Sequence, residues 1–284
     1  MSEGVYNEQI SFRRERKDLM ITHFKELQLN TVSIPSVKQF YHERLLLPIV
    51  QESGSLVEFQ VTEHCTILFI EAYEPIAPAH LAFEVPYSEF DQLAAFLKQQ
   101  GVMIEKWPDG REVVDFDKGR NIYFRDGDGN LLELIAHPYI KEDVVVPSGS
   151  LRVLYMREIG FPVDDVGDFR TRLQELMNIK LDKVLDDFAF AIGGTAHFVL
   201  ASKQRRWIPI AMLALPPRML VTLGVPDAAV LREIDSRLRE NERISATASE
   251  LHLMINDYHL CLKVDPGFGQ ELPSLLQLPL ADTD

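Results

Sequence analysis

From Ile21 onward the polar and apolar positions change period in a regular order. "ITHFKELQLNTV" (21–32) alternates as a half-buried strand does, and "SIPSVKQFYHERLLLP" (33–48) then switches to helical spacing, with Pro35 placed where a first turn accepts it. "SLVEFQVT" (55–62) and "HCTILFIEAYE" (64–74) predict paired strands, and "AHLAFEVP" (79–86) predicts another. "YSEFDQLAAFLKQQG" (87–101) has helical period, with Ser88 expected as its N-cap and Gly101 as its stop. "GREVVDFDKGRNIYFRDGDGNLLELIAHP" (110–138) closes this stretch as strands joined by a polar turn.

The same order then recurs. "YMREIGFPVDDVGDFRTRLQELMNI" (155–179) reads strand then helix, "FAFAIGGTAHFVLAS" (188–202) reads as paired strands, and "RMLVTLGVPDAAVLREIDSRLREN" (218–241) reads strand then helix again. "SELHLMINDYHLCLKVDP" (249–266) supplies a last pair, and "FEVPYSEFDQLAAFL" (83–97) lines up with "LGVPDAAVLREIDSRL" (223–238). The fold class expected is α+β: two tandem βαβββ modules forming cupped mixed sheets with flanking helices. The boundaries are a tail at 1–20, a first module at 21–140, a linker at 141–150, a second module at 151–266 and a C-terminal tail at 267–284.

Length and composition narrow the function classes. A chain of 284 residues that is 46% hydrophobic can bury a sizeable core, and no apolar run is long enough for a spanning helix or a signal-peptide core. The expectation is therefore a cytoplasmic protein with no membrane partner. A net charge of -14 repels phosphate backbones, so nucleic acid is not an expected partner; the basic run "RRERK" (13–17) reads as a solvated tail. Cys65 and Cys261 form no CxxC pair, which leaves oxygen and nitrogen donors for any metal.

One position resists this bland picture. Glu133 stands in the middle of "LLELIA", where an ionised carboxylate would be costly to bury without a cation beside it. The preceding "DGDGN" is not an EF-hand loop: counted from Asp126, position six is Leu131 and position twelve His137 instead of Gly and Glu. It is hairpin chemistry that sets the register of the strand carrying Glu133.

Three stretches together, the first strand and helix ending in "FY" (40–41), "HLAFEV" (80–85) and "YFRDGDGNLLEL" (123–134), resemble the vicinal oxygen chelate superfamily of glyoxalases, extradiol dioxygenases and bleomycin-binding proteins. The resemblance implies one divalent metal ion (Fe, Mn, Zn or Ni) held by Glu26, His80 and Glu133, with His23 competing for the first place. It also implies a role for Tyr123 near the metal, and Glu133 could double as a base if displaced. The spacing is compatible with that trio, at 54 residues from Glu26 to His80 and 53 from His80 to Glu133. In the second module Glu158 matches Glu26, but Leu220 and Cys261 fall at the other two places, so a single site in the first module is expected. The implied activity is metal-dependent lyase, isomerase or ring-cleaving chemistry on a small molecule that chelates through vicinal oxygens. The alternative is a non-catalytic binder of a drug or small aromatic, of bleomycin-resistance type. Whether the chain also forms a homodimer is left open.

Overall fold

The computed structural model describes residues 20–116, 118–207, 209 and 211–279, so the expected tail at 1–20, with its basic run, lies outside the described residues except for Met20. The two tandem modules are present, and each carries the βαβββ order twice. The first unit is β1 (His23–Thr31), α1 (Ile34–Val37, continued by a π-helical stretch Lys38–Arg44), β2 (Ile49–Glu52), β3 (Leu56–Thr62) and β4 (Cys65–Glu71). The second is β5 (His80–Glu84), α2 (Phe90–Gln99), β6 (Val114–Phe116), β7 (Gly119–Arg125) and β8 (Leu131–Ala136). The third is β9 (Tyr155–Val163), α3 (Val166–Met177), β10 (Lys180–Asp182), β11 (Phe188–Gly193) and β12 (Ala196–Ser202). The fourth is β13 (Met219–Val225), α4 (Ala228–Ser236), β14 (Arg243–Ala246), β15 (Glu250–Ile255) and β16 (Tyr258–Val264).

Local chemistry sets the helix ends. Asp165 and Asp227 accept backbone N–H groups at the starts of α3 and α4, at 2.8 Å from Asp168 and 2.7 Å from Ala229, and Ser33 does the same for α1. Ser88, expected as the cap of α2, does not serve: one 3-10 turn at Tyr87–Glu89 leads into the helix, and the Ser88 amide and hydroxyl both donate to Glu142. Gly101 ends the helix with a positive φ of 72°, as its sequence position implied.

The strands form two eight-stranded mixed sheets, and neither sheet belongs to one half of the chain. One runs β14-β15-β16-β13-β1-β4-β3-β2 and the other β10-β11-β12-β9-β5-β8-β7-β6. The second and third units therefore share a sheet, and the first and fourth share the other. Short connections explain the choice. β8 and β9 both hydrogen-bond β5, from opposite sides, so the chain between them needs only to step over one strand. The two sheets pack on a continuous apolar core: Phe24 lies 5.3 Å from Phe198 between ring centroids, and the Tyr258 hydroxyl donates to the Pro162 carbonyl at 2.7 Å. The C-terminal stretch is docked as well, with Leu276 and Leu278 buried against Ile140 and Tyr155. Among the described residues no helix is long and apolar enough to cross a membrane.

His23, the competing candidate, is committed to packing. Its ring stacks on Phe268 at 3.9 Å, bonds the Thr22 hydroxyl through Nδ1 at 2.8 Å, and fills the space a side chain at Gly224 would need. Burial lowers its pKa to about 3. The unfolded chain, with an ordinary histidine, therefore takes up a proton before the folded one does as pH falls below 6.5. Stability is expected to drop from pH 6.5 toward pH 3 by up to roughly 5 kcal/mol from this group, and His23→Gln should flatten that limb in urea titrations. A second expectation concerns the shared sheets. Cleaving the chain within 141–150 should yield halves that are not compact monomers on size exclusion and that recombine into one species; an N-terminal half that unfolds sharply as a monomer would contradict it.

Candidate metal centre

Three potential metal-ligating side chains from three neighbouring strands converge on the inner face of the sheet that the middle units share. His80 opens β5, Glu133 stands in the middle of β8 and Glu158 lies on β9; one ligand atom from each falls within 4.8 Å of the others. His80 Nε2 is 3.6 Å from Glu133 Oε2 and 3.8 Å from Glu158 Oε2. All three are nearly excluded from solvent. The register explains the meeting: Ala82 is the Cα partner of Glu133 on one side and of Glu158 on the other. Its methyl group leaves room for both carboxylates.

A β-bulge completes the arrangement. On β9 the pairing with β5 skips one residue between Met156 and Glu158, so Arg157 and Glu158, although consecutive, both line the same cavity. Arg157 is buried and donates to Glu84 at 3.0 Å, and Glu84 in turn holds the His137 ring at 2.9 Å. This charged network lies beside Glu158, with Arg157 Nε 3.4 Å from Glu158 Oε1.

Each member of the trio has a partner that orients it. The His80 Nδ1 proton faces the Leu131 carbonyl at 3.2 Å, which leaves the Nε2 lone pair for the centre. Glu133 Oε1 accepts from Asn121 Nδ2 at 2.9 Å, and the same amide group reaches the Tyr123 hydroxyl at 3.1 Å. Burial, and then the charge of Glu158, push the Glu133 carboxyl well above its ordinary range. Burial also opposes ionisation of Glu158, but the His80 ring 3.8 Å away and the charge of Arg157 outweigh that and hold it below the usual value. Two buried carboxylates and a neutral imidazole lone pair around one point fit a divalent cation, which would neutralise both carboxylates and relieve their repulsion. His80, Glu133 and Glu158 could hold such an ion.

The structure thus brings together two of the three residues expected from sequence. Glu26 is not with them: it lies on β1 in the other sheet, paired with Thr222 and Thr66, in a separate polar cleft of about 430 Å³ that also holds His252, Cys261 and Lys263. The expected trio assumed that one half of the chain closes its own cup. Strand pairing across the halves puts Glu158, the residue that matches Glu26, in the third place instead. Tyr123 lies opposite Glu133 on β7, half-buried, with its hydroxyl pKa raised well above normal by desolvation and the Glu133 charge, so it is a hydrogen-bonding phenol at neutral pH.

Residues that sequence reasoning passed over shape the rest. His197 on β12 is the Cα partner of Glu158, lines the cavity, and is held neutral because burial lowers its pKa well below the usual value. Its Nδ1 faces the Thr195 carbonyl at 3.2 Å. Trp207 packs 5.1 Å from the His80 ring over Gly160, where a side chain would strike the indole. The cavity above the trio has a volume of about 680 Å³ and walls rich in aromatic side chains, including Phe116, Phe188 and Phe190.

No family model and no curated protein matches the sequence. Solved structures do. A Bacillus subtilis protein described as a "putative dioxygenase" superposes with a TM-score of 0.63 at 13% identity, covering 93% of this chain and 92% of that one. Glyoxalase I from Zea mays superposes with a TM-score of 0.55 at 14% identity, over 88% of this chain and 95% of that one. At these identities the likeness establishes the fold alone, which this chain shares with both structures over most of its length.

Metal titration checks the centre. Purified protein is expected to bind about one equivalent of a divalent first-row ion, and Glu158→Gln or Glu133→Gln should weaken binding by about 10–100-fold or more, whereas Glu26→Gln should leave it unchanged.

Proposed function

We propose that this chain is a divalent-metal-dependent enzyme of glyoxalase or dioxygenase type, acting on a small substrate that chelates the metal through two neighbouring oxygens. The observation that carries the reading is the convergence of His80, Glu133 and Glu158 at the floor of a large cavity. A binder that only sequesters an apolar ligand has no use for three buried polar donors, two of them carboxyl groups, at one point. The fold likeness to a glyoxalase and to a protein described as a dioxygenase supports the same direction.

In this reading the bound ion supplies Lewis acidity to the oxygens of the substrate. The protein supplies the rest. His80, Glu133 and Glu158 occupy one side of the centre and leave the cavity side open for substrate. His197, on the strand next to Glu158 and lining the same cavity, is the group that takes a proton from the substrate. Tyr123 and Asn121 fix the Glu133 carboxylate and offer hydrogen bonds at the edge of the site. The aromatic walls and Trp207 exclude water from the reacting oxygens.

Two assays on the metal-loaded protein test the proposal: oxygen uptake with a panel of catechols, and isomerisation of hemithioacetals. Turnover in one of them, lost in Glu158→Gln, is expected. His197→Asn should lower kcat by about 10²–10⁴-fold while leaving the metal content intact. Full metal occupancy with no turnover in either assay would overturn the proposal.

A further inference from the structure

The walls of the cavity, away from the trio, carry a second pattern. The chain has two tryptophans, and both line this cavity. Trp207 packs against His80 at 5.1 Å, and Trp107 lies 6.4 Å from Tyr123, so the two indoles flank the centre. Both indole N–H groups are buried and lack any acceptor among the described residues.

Charge is distributed along the same cavity against the trend of the protein. The whole chain carries a net charge of -14, yet the cationic side chains lining the cavity outside the buried network are Lys118, Lys183, Arg205 and Arg206, with Asp182 as the carboxylate among them. These cations stand on the aromatic walls: the Lys183 ammonium is 5.4 Å above the Phe190 ring and the Arg205 guanidinium 4.7 Å above Phe188. Arg205 is paired with Asp187, whereas Lys183 has no ion-pair partner among the described residues. At about 680 Å³ the cavity falls in the roughly 300–1,000 Å³ range of sites for drug-sized ligands, so a ring bearing a side group fits it better than a bare ring.

We infer that the substrate is a planar aromatic anion, with vicinal oxygens at the trio, its ring between the aromatic walls, and a negatively charged substituent directed to Lys118, Lys183, Arg205 and Arg206. The inference rests on the proposed function for the chelating end and on the cavity lining for the charged end. Carboxylate is the substituent whose oxygens suit this lining, because ammonium and guanidinium groups both donate to it.

Because both tryptophans face the cavity, quenching of intrinsic fluorescence reports its occupancy directly. The probes are 3-(3,4-dihydroxyphenyl)propanoate and its methyl ester, which share ring and chelating oxygens and differ in charge. The acid is expected to bind about tenfold more tightly than the ester at low salt, a gap of about 1.4 kcal/mol. That preference should shrink in high salt and in the double variant Lys183→Gln, Arg206→Gln, whereas ester binding should hold. Equal affinity for acid and ester, or a preference that survives both the double variant and high salt, would overturn the inference. The titration is repeated after metal is stripped with a chelator. A protein that takes up no metal but still prefers the acid retires the enzymatic reading and leaves the charged end of this inference standing. A loaded metalloprotein that turns over but does not discriminate acid from ester does the reverse.

Discussion

Everything in the candidate centre depends on one backbone contact, the antiparallel pairing of β5 with β9. It is the seam between the two halves of the chain, and it places Glu158 beside Ala82, whose other neighbour is Glu133. Without that register the sheet would carry His80 and a lone buried carboxylate. With it, three donors from three strands meet, and the bulge at Arg157 turns an extra cation inward to offset part of the charge.

The same seam exists in the other sheet, which shows what the site requires. β1 pairs with β13 through a bulge at the equivalent place, so Lys25 and Glu26 stand where Arg157 and Glu158 stand in the middle sheet. Thr222 occupies the position of Ala82, flanked by Glu26 and Cys261 as Ala82 is by the two glutamates. The imidazole place holds Leu220. Geometry is retained there and donor chemistry is not: burial raises the Cys261 thiol to about 11, and His252 spans Cys261 Sγ through Nε2 at 3.6 Å and His259 through Nδ1 at 3.1 Å. Two cups of one design thus differ by a few side chains.

Much of this was legible in the residues. Alternation along "HLAFEV" and "LLELIA" places His80 and Glu133 on one face, and the repeat matches Glu158 to Glu26 and Leu220 and Cys261 to the other two places. What alternation cannot specify is which strand lies next to which, because that is settled by non-local pairing and by the length of the connection from β8 to β9. The choice of Glu26 over Glu158 arose there and nowhere else. Strands β6 and β10, with three residues each, are too short to show a period. His197 carried a visible signal, an imidazole alternating with Val199 and Ala201 in "TAHFVLAS", but its importance follows only once β12 is known to lie against β9. Trp207 sits outside any periodic element, and nothing local announces that it covers His80.

A centre that straddles the seam also has an order of birth. During synthesis the first half emerges with His80 and Glu133 in hand and no third donor, and ribosomes must pass Glu158 before the donor set is complete. The outer sheet cannot close until β13 follows, some 60 residues later in the chain. Capture of an ion at this centre would therefore belong late in biogenesis, after the inner sheet has zipped, and a truncated product would carry a vestige of the site with no means to fill it.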